Sequence, residues 1–158
     1  IRLAESDAVA ACAADLWGWS TVCGKHVVAG PGKYKWQLEV EDSRVGGVSL
    51  WEMIIGVAPA ASGDVTITHL PGEGGFGYIQ STGQKTKGES YSEPYGPTYG
   101  HGEVVTVVLD MTRCELSFKK NRQDLGVSHG VPPGEYRLAV SFFGFQEQSV
   151  RILSSGPA

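Results

Sequence analysis

The sequence has few of the residue patterns that support metal, redox or disulfide chemistry. Its cysteines, Cys12, Cys23 and Cys114, are three in number and have no CxxC spacing. That pattern argues against a disulfide framework and a zinc site, and it favours a reducing compartment. The four histidines are scattered, and no two have the spacing of metal ligands. We therefore expect no cofactor and no metal.

Positive charge and long apolar runs are also scarce. The formal net charge of the 158 residues is -4, and no basic stripe of the kind that binds nucleic acid is present. No apolar run is long enough for a transmembrane helix, and no signal-peptide core appears. We expect neither nucleic-acid binding nor membrane insertion, and we expect an intracellular location, in the cytoplasm or the nucleus.

The sequence motifs of nucleophilic and phosphate chemistry are missing as well. One segment, Gly126 to Gly130, has the Gly-x-Ser-x-Gly spacing, but it continues a predicted strand and so is not an elbow between a strand and a helix; no glycine-rich loop leads from a strand into a helix either. Their absence leaves no sequence support for an acyl hydrolase or a phosphate-binding loop.

Glycine and proline are abundant instead. The chain has 22 Gly and 8 Pro, and 41% of its residues are hydrophobic. Frequent turn residues in a chain that can still fill a core are typical of many short strands. We expect a single domain over residues 1–153, a tail or linker at 154–158, and a monomeric module within a larger protein.

The clearest series of strands lies in the second half of the chain. Residues 104–109 are almost purely β-branched and apolar, which predicts a central strand covered on both faces or nearly so. Asp110 opens a turn, because Asp side chains bond nearby backbone amides. Residues 115–119 alternate between apolar and polar, and Asn121 tolerates the left-handed backbone of a tight turn before the next strand at 125–127. The series predicts an antiparallel meander.

A second clear strand lies near residue 35. Its apolar side chains occupy every other position and face the core, while the Lys, Gln and Glu side chains between them face water or a partner. The apolar positions are Tyr34, Trp36, Leu38 and Val40.

Residues 80–97 are polar and are predicted as a loop. Shorter apolar or alternating runs predict the remaining strands. The runs are 1–7, 8–14, 17–22, 51–57, 65–68, Phe76–Ile79, Tyr136–Phe143 and 149–153. About ten to thirteen short strands with turn signals between them predict an all-β fold, an antiparallel β-sandwich.

Five separated blocks of the sequence form an ordered pattern. The blocks are Gly32 to Val40, Ile54-Ile55-Gly56-Val57, Phe76-Gly77-Tyr78-Ile79, Tyr95-Gly96-Pro97, and the series Asp110-Met111, Leu116-Ser117-Phe118, Asn121, Leu125-Gly126-Val127. In these blocks and in their order the sequence resembles SPRY domains, the core of PRY-SPRY type modules, and the resemblance as a whole extends over about residues 17–153.

The resemblance implies a concanavalin-like jelly-roll sandwich without catalysis. It also implies a location for a binding pocket, because peptide-binding SPRY domains use inter-strand loops and an aromatic-Gly step just before the last strand. That step is Phe142-Phe143-Gly144 here, with Phe143 where well-studied members have Trp. Gln80 stands where members of the family use Tyr.

From the residues themselves, candidate contacts are the aromatic and Arg side chains that dominate interface energetics and that the core does not obviously need. These are Arg44, Trp51, Tyr91, Tyr95 and Phe143, and for each of them core or loop packing is the alternative. We predict a non-catalytic protein–protein interaction module that binds a peptide segment or a folded partner. Phe142 and Phe143 would form an apolar patch, and Arg44 with residues 80–95 would supply polar groups.

Two other functions remain open at this stage. Glu39 and Glu41 lie two apart on one strand face, and glycoside hydrolysis needs two carboxylates, so a carbohydrate-binding or glucan-hydrolysing sandwich is one alternative. Acidic residues on the wet face of a strand are the ordinary explanation of this pair. The other alternative is a structural module packed within a larger chain.

Overall fold

The computed structural model describes residues 2–3, 9–11, 19–42, 52–60, 66–67, 75–87, 91–143 and 148–158. These residues form strands and turns, with no α-helix among them and hence no helix that could cross a membrane. The strands are β1 (Arg2–Leu3), β2 (Val9–Ala11), β3 (Trp19–Cys23), β4 (Lys33–Asp42), β5 (Glu52–Pro59), β6 (Thr66–Ile67), β7 (Phe76–Ile79), β8 (Gln84–Lys87), β9 (Tyr91–Pro94), β10 (Val104–Asp110), β11 (Glu115–Lys120), β12 (Gln123–Gly130), β13 (Tyr136–Phe143) and β14 (Gln148–Pro157).

The described strands form two antiparallel sheets, which confirms the predicted sandwich. The first sheet has the order β1-β2-β14-β4-β10-β11-β12, and the second has the order β6-β3-β13-β5-β7-β8-β9. The core between them is built from the inward face of each sheet, with Leu38 and Leu109 from the first sheet and Ile55 and Phe142 from the second all fully buried.

Strand β4 shows how the alternating pattern produces this core. Trp36, Leu38 and Val40 are buried at 3%, 0% and 0% exposure, while the polar residues between them lie on the outward face. Tyr34, at the start of the strand, packs partly buried against the core, and its ring stacks on that of His26.

The predicted meander of β10, β11 and β12 is confirmed, with its turns as expected. Strand β10 lies between β4 and β11 near the middle of the first sheet. The Asp110 carboxylate accepts hydrogen bonds from the Thr112 and Arg113 amides at 3.0 and 3.1 Å. Asn121 has a φ of 54°, in the left-handed region, as the tight turn requires.

Two parts of the strand prediction are wrong. Residues 84–87 and 91–94, predicted as loop, form the paired strands β8 and β9 at an edge of the second sheet, where Thr86 is the only one of the four β8 residues that is buried. An edge hairpin needs few apolar residues, so its polar sequence hides it. Strand β14 continues past Leu153 to Pro157, because after a bulge its backbone stays paired with β4 as far as Tyr34.

Candidate functional site

The loops of the first sheet gather where β4 ends, which we call the Asp42 end. Val104, the first residue of β10, lies opposite Glu39, and the Gly102 amide donates to the Val40 carbonyl at 2.8 Å. Strand β14 begins there too, with Gln148 opposite Asp42. The turn between β11 and β12 closes on the same side, since the Asn121 amide donates to the Val104 carbonyl at 2.7 Å.

The second sheet brings its loops to the same end. Gln80 follows β7, and its amide donates to the carbonyl of Met53 near the start of β5 at 2.9 Å. Its carbonyl accepts from the Tyr99 amide at 3.2 Å, which ties the β7–β8 turn to the segment leading into β10. Phe143, the last residue of β13, pairs with Glu52, the first residue of β5. The strands that flank residues 43–51 and 144–147 therefore begin or end here.

Several predicted contact residues fall in those flanked segments. Arg44, Trp51 and Gly144 lie outside the described residues, and of Phe143 and Tyr91 only the backbone is described. The backbone of Phe143 reaches the Asp42 end. Tyr91 does not, because it starts β9 opposite Lys87, at the far end of that strand from Tyr95.

The assignment of Phe142 to an exposed patch is wrong. Its side chain is 0% exposed and belongs to the core, on the same face of β13 as Leu138 and Val140. The alternation of apolar residues along β13 already indicated that Phe142 faces the core. Gln80, predicted as a polar contact, is also buried at 3% exposure, so its side chain offers almost no surface to a partner.

Tyr95 is half-buried, and its hydroxyl joins two strands of the opposite sheet. The hydroxyl accepts a hydrogen bond from the Phe118 amide at 3.3 Å in β11 and donates to the Gly126 carbonyl at 2.6 Å in β12. The register between β11 and β12 shifts at this point, so Phe118 has no residue opposite it in β12. The tyrosine thus satisfies backbone groups that the irregularity leaves without a strand partner.

The Tyr95 ring belongs to an aromatic cluster beneath the Asp42 end. It packs edge-on against Tyr78 with ring centroids 5.5 Å apart, and Tyr78 in turn contacts Tyr99 and Phe118 at 4.8 and 5.3 Å. Burial raises the pKa of Tyr95 to about 12, with the Phe118 hydrogen bond opposing and the Asp124 charge adding to the shift. The hydroxyl therefore stays a hydrogen-bond donor at physiological pH.

Residues 95–103, which we call the anchored loop, are held by hydrogen bonds along most of their length. The Gly96 amide donates to the Gly83 carbonyl at 2.8 Å, and the Tyr78 hydroxyl donates to the Pro97 carbonyl. The Tyr99 hydroxyl donates to the Tyr78 carbonyl at 2.6 Å. The exposed residues of the anchored loop are Pro97, Thr98, His101 and Gly102. No sequence pattern singled these residues out as contacts, although the density of Gly and Pro marked the loop.

Glu103 closes the anchored loop. Its carboxylate accepts hydrogen bonds from the Gly100 amide at 3.0 Å and the Asn121 side-chain amide at 3.2 Å, and it lies 3.0 Å from the Lys120 ammonium. Burial by itself would raise the pKa of Glu103, but the hydrogen bonds from Lys120, Asn121 and Gly100 outweigh it and lower the pKa below its ordinary value. The loop is preformed by this network together with the tyrosines.

The carboxylates of the glycosidase alternative lie on the outward face of the first sheet. Glu41 is 3.2 Å from the Arg151 guanidinium and accepts a hydrogen bond from the Ser149 hydroxyl at 3.1 Å. Glu39 is half-buried and lies opposite Arg151 in the strand register. This arrangement is an ordinary solvated sheet face with a surface ion pair. Among the side chains described, no group of three or more His, Cys, Asp and Glu could hold a metal ion.

The role of the Tyr95 hydroxyl can be tested by replacing Tyr95 with Phe, which keeps the ring. Phe118 is fully buried, so its amide would lose its partner in an environment without water. We expect the free energy of unfolding to fall by about 1–3 kcal/mol, the cost of leaving one buried polar group, the Phe118 amide, unsatisfied; the Gly126 carbonyl is exposed and can bond water. Urea unfolding measures this, and a change within experimental error would contradict the bridging role.

The fold and this loop-bearing end define an antiparallel β-sandwich whose loops are displayed on a rigid support. The model of the SPRY domain family matches residues 33–156, and the chain belongs to this family. SPRY domains are protein-interaction modules and are generally not catalytic.

Known proteins extend this comparison. The ATP-dependent RNA helicase Ddx1 of Drosophila melanogaster is 38% identical over 58 residues, which are 37% of this chain and 8% of the helicase. The SPRY domain of human HERC1 superposes with a TM-score of 0.67 at 20% identity, covering 85% of this chain and 82% of that one. The TRIM65 PSpry domain superposes with a TM-score of 0.59 at 13% identity, covering 85% and 69%. At 20% and 13% identity, these two structures show that the chain has the same fold as they do.

Proposed function

We propose that this SPRY domain binds a peptide segment or a folded partner protein through the loops of the Asp42 end. The observation that supports this most is the convergence of the anchored loop, the β7–β8 turn and the β11–β12 turn at one end of the sandwich. The strands flanking residues 43–51 and 144–147 also begin or end there, so the loops that contain Arg44 and Gly144 start from the same end.

Preformed loops favour binding energetically. A loop that is already ordered loses little conformational entropy when a partner docks. The anchored loop meets this condition through Tyr78, Tyr99 and Glu103, each of which fixes it to a neighbouring element. Micromolar or better affinity for a partner is physically reasonable for such a surface.

A peptide-display selection tests the proposal. Random peptides would be selected against the wild-type domain, and the affinity of the enriched peptides measured by fluorescence anisotropy for the wild type and for Arg44→Ala with Phe143→Ala. We expect the double variant to bind roughly tenfold more weakly or worse, as for the loss of interface anchors. The matched control is Arg113→Ala, which removes an exposed arginine from the turn between β10 and β11, at the opposite end.

The variants must first show equal thermal stability, because a destabilised variant would bind more weakly for reasons unrelated to contact with the peptide. Equal binding by the double variant and the wild type would contradict the proposal. Failure to select any peptide, together with quenching of Trp fluorescence by oligosaccharides, would favour the carbohydrate-binding alternative instead.

A further inference from the structure

The geometry around Tyr95 assigns this residue a task other than partner contact. We infer that Tyr95 is a positioning residue, which holds the anchored loop against the β11–β12 hairpin and so sets the shape of the partner-binding end. The inference rests on the proposed function, because it concerns how the same end is held in a binding-competent form.

The first support is the placement of the hydroxyl between two sheets. Tyr95 directly follows β9 of the second sheet, while its two hydrogen-bond partners, Phe118 and Gly126, are in β11 and β12 of the first sheet. These partners lie 23 and 31 residues away along the chain. A single side chain thus fixes the start of the anchored loop to both strands of the hairpin.

The second support is the lack of space next to Tyr95. A methyl group at Gly96 would lie 3.0 Å from the Leu125 side chain and 3.2 Å from the Tyr78 hydroxyl, and one at Gly83 would lie 2.0 Å from the Gly96 carbonyl oxygen. A backbone packed this closely cannot absorb a shift of Tyr95 locally. The displacement would pass on to Pro97 and the exposed residues that follow it.

The third support is the state of the Tyr95 side chain itself. Its hydroxyl is engaged on both the donor and the acceptor side, and its ring packs against Tyr78 and Phe118. A partner at this end would meet the exposed Thr98 and His101, which follow Tyr95 by three and six residues. Tyr95 acts on the partner through these neighbours.

The test compares Tyr95→Phe with Tyr136→Phe. The control removes a hydroxyl that donates to the Pro132 carbonyl at 2.6 Å, at the opposite end of the sandwich from the Asp42 end. Affinities for the display-selected peptides would be measured with both proteins well below their unfolding temperatures, and amide NMR spectra recorded without peptide. We expect Tyr95→Phe to weaken binding roughly two- to thirtyfold, to shift the amide signals of residues 96–103, and to leave the peptide sequence preference altered. Tyr136→Phe should change none of these three properties.

A second substitution protects the test against simple destabilisation. Replacing Tyr95 with 4-aminophenylalanine keeps a hydrogen-bond donor toward the Gly126 carbonyl and should restore most of the binding. Unchanged binding by Tyr95→Phe, equal losses in both Phe variants, or direct contacts between the peptide and the Tyr95 ring would each overturn the inference. Equal binding by the Arg44 and Phe143 double variant and the wild type would instead overturn the proposed function, whatever Tyr95→Phe does.

Discussion

Replacing Gly56 with alanine is expected to abolish folding, or to lower the free energy of unfolding by more than about 4 kcal/mol. Gly56 lies in β5 opposite Gly77 of β7, and a methyl group at Gly56 would come within 1.8 Å of the Phe76 carbonyl oxygen. It would also lie 2.7 Å from the Gly77 Cα atom, so the obstruction is backbone that cannot rotate away. Because β5 is fully buried over most of its length, the strands cannot separate without opening the core.

Gly130→Ala is the matched control for this substitution. Gly130 is also a strand residue, in β12, but a methyl group there would meet no atom within 4 Å. We expect a change between neutral and a gain of about 1 kcal/mol, because alanine restricts the unfolded chain. Circular dichroism and urea unfolding measure both variants. Comparable stability of the two would show that the β5–β7 approach is looser than this geometry requires.

The largest expected pH effect comes from His129. Its ring is buried at 9% exposure, packs 5.1 Å from the Phe76 ring, and its Nδ1 lies 2.8 Å from the Ser128 hydroxyl oxygen. The Ser128 hydroxyl is also within hydrogen-bond distance of the Leu116 carbonyl, to which it can donate at 3.0 Å. Burial, and then the nearby Lys85 charge, lower the pKa of His129 from 6.5 to about 4.

The lowered pKa makes the protein less stable in mild acid. Between pH 6.5 and about pH 4 the unfolded chain binds a proton at His129 that the folded protein does not bind, so stability falls as the pH falls through this window. The contribution of the neutral His129 ring to the free energy of unfolding is fully present above pH 6.5 and is lost near pH 4. This contribution is on the order of 3 kcal/mol. Lys85 and Lys87 on β8 oppose protonation, while the hydrogen bond to the Thr86 backbone and then the Glu93 charge on β9 favour it.

His129→Phe is expected to flatten this part of the pH dependence, since phenylalanine keeps a ring against Phe76 and has no proton to bind. The free energy of unfolding of the wild type and the variant would be measured in urea at several values of pH across the window. His101→Gln, which replaces an exposed histidine of the anchored loop, serves as the control for the loss of a histidine elsewhere in the protein. Parallel curves for the wild type and His129→Phe would contradict the assignment.

Much of the first sheet could be predicted from local sequence. The alternation from Tyr34 to Val40 identifies both the strand and its buried face, because a strand turns successive side chains to opposite sides. Asp110 and Asn121 identify their turns, because each side chain acts on backbone groups within a few residues. The prediction for Phe142 was wrong, although the alternation of β13 puts Phe142 on the core face. It was assigned to the binding patch because Phe143, the next residue, matches the aromatic position of the family pattern.

The contacts of the candidate site could not be predicted in the same way. Nothing in the local sequence of Tyr95 shows whether its side chain contacts a partner protein or links two strands. Its hydrogen-bond partners, Phe118 and Gly126, can be identified only once the pairing of the strands is known. The paired strands β8 and β9 were missed because they close the edge of the second sheet, where the one buried side chain of β8 is the polar Thr86, so there is no apolar period to detect.

The sequence by itself determined that this chain is a strand-rich SPRY domain with its turns at Asp110 and Asn121, because side-chain periodicity and turn chemistry act over a few residues. The tertiary structure alone decided which loops share one end, why Gly56 must be glycine, and what the Tyr95 hydroxyl holds. Each of these depends on groups brought together from distant parts of the chain. Their separation is fixed by the pairing of strands and the packing of two sheets, which no local pattern encodes.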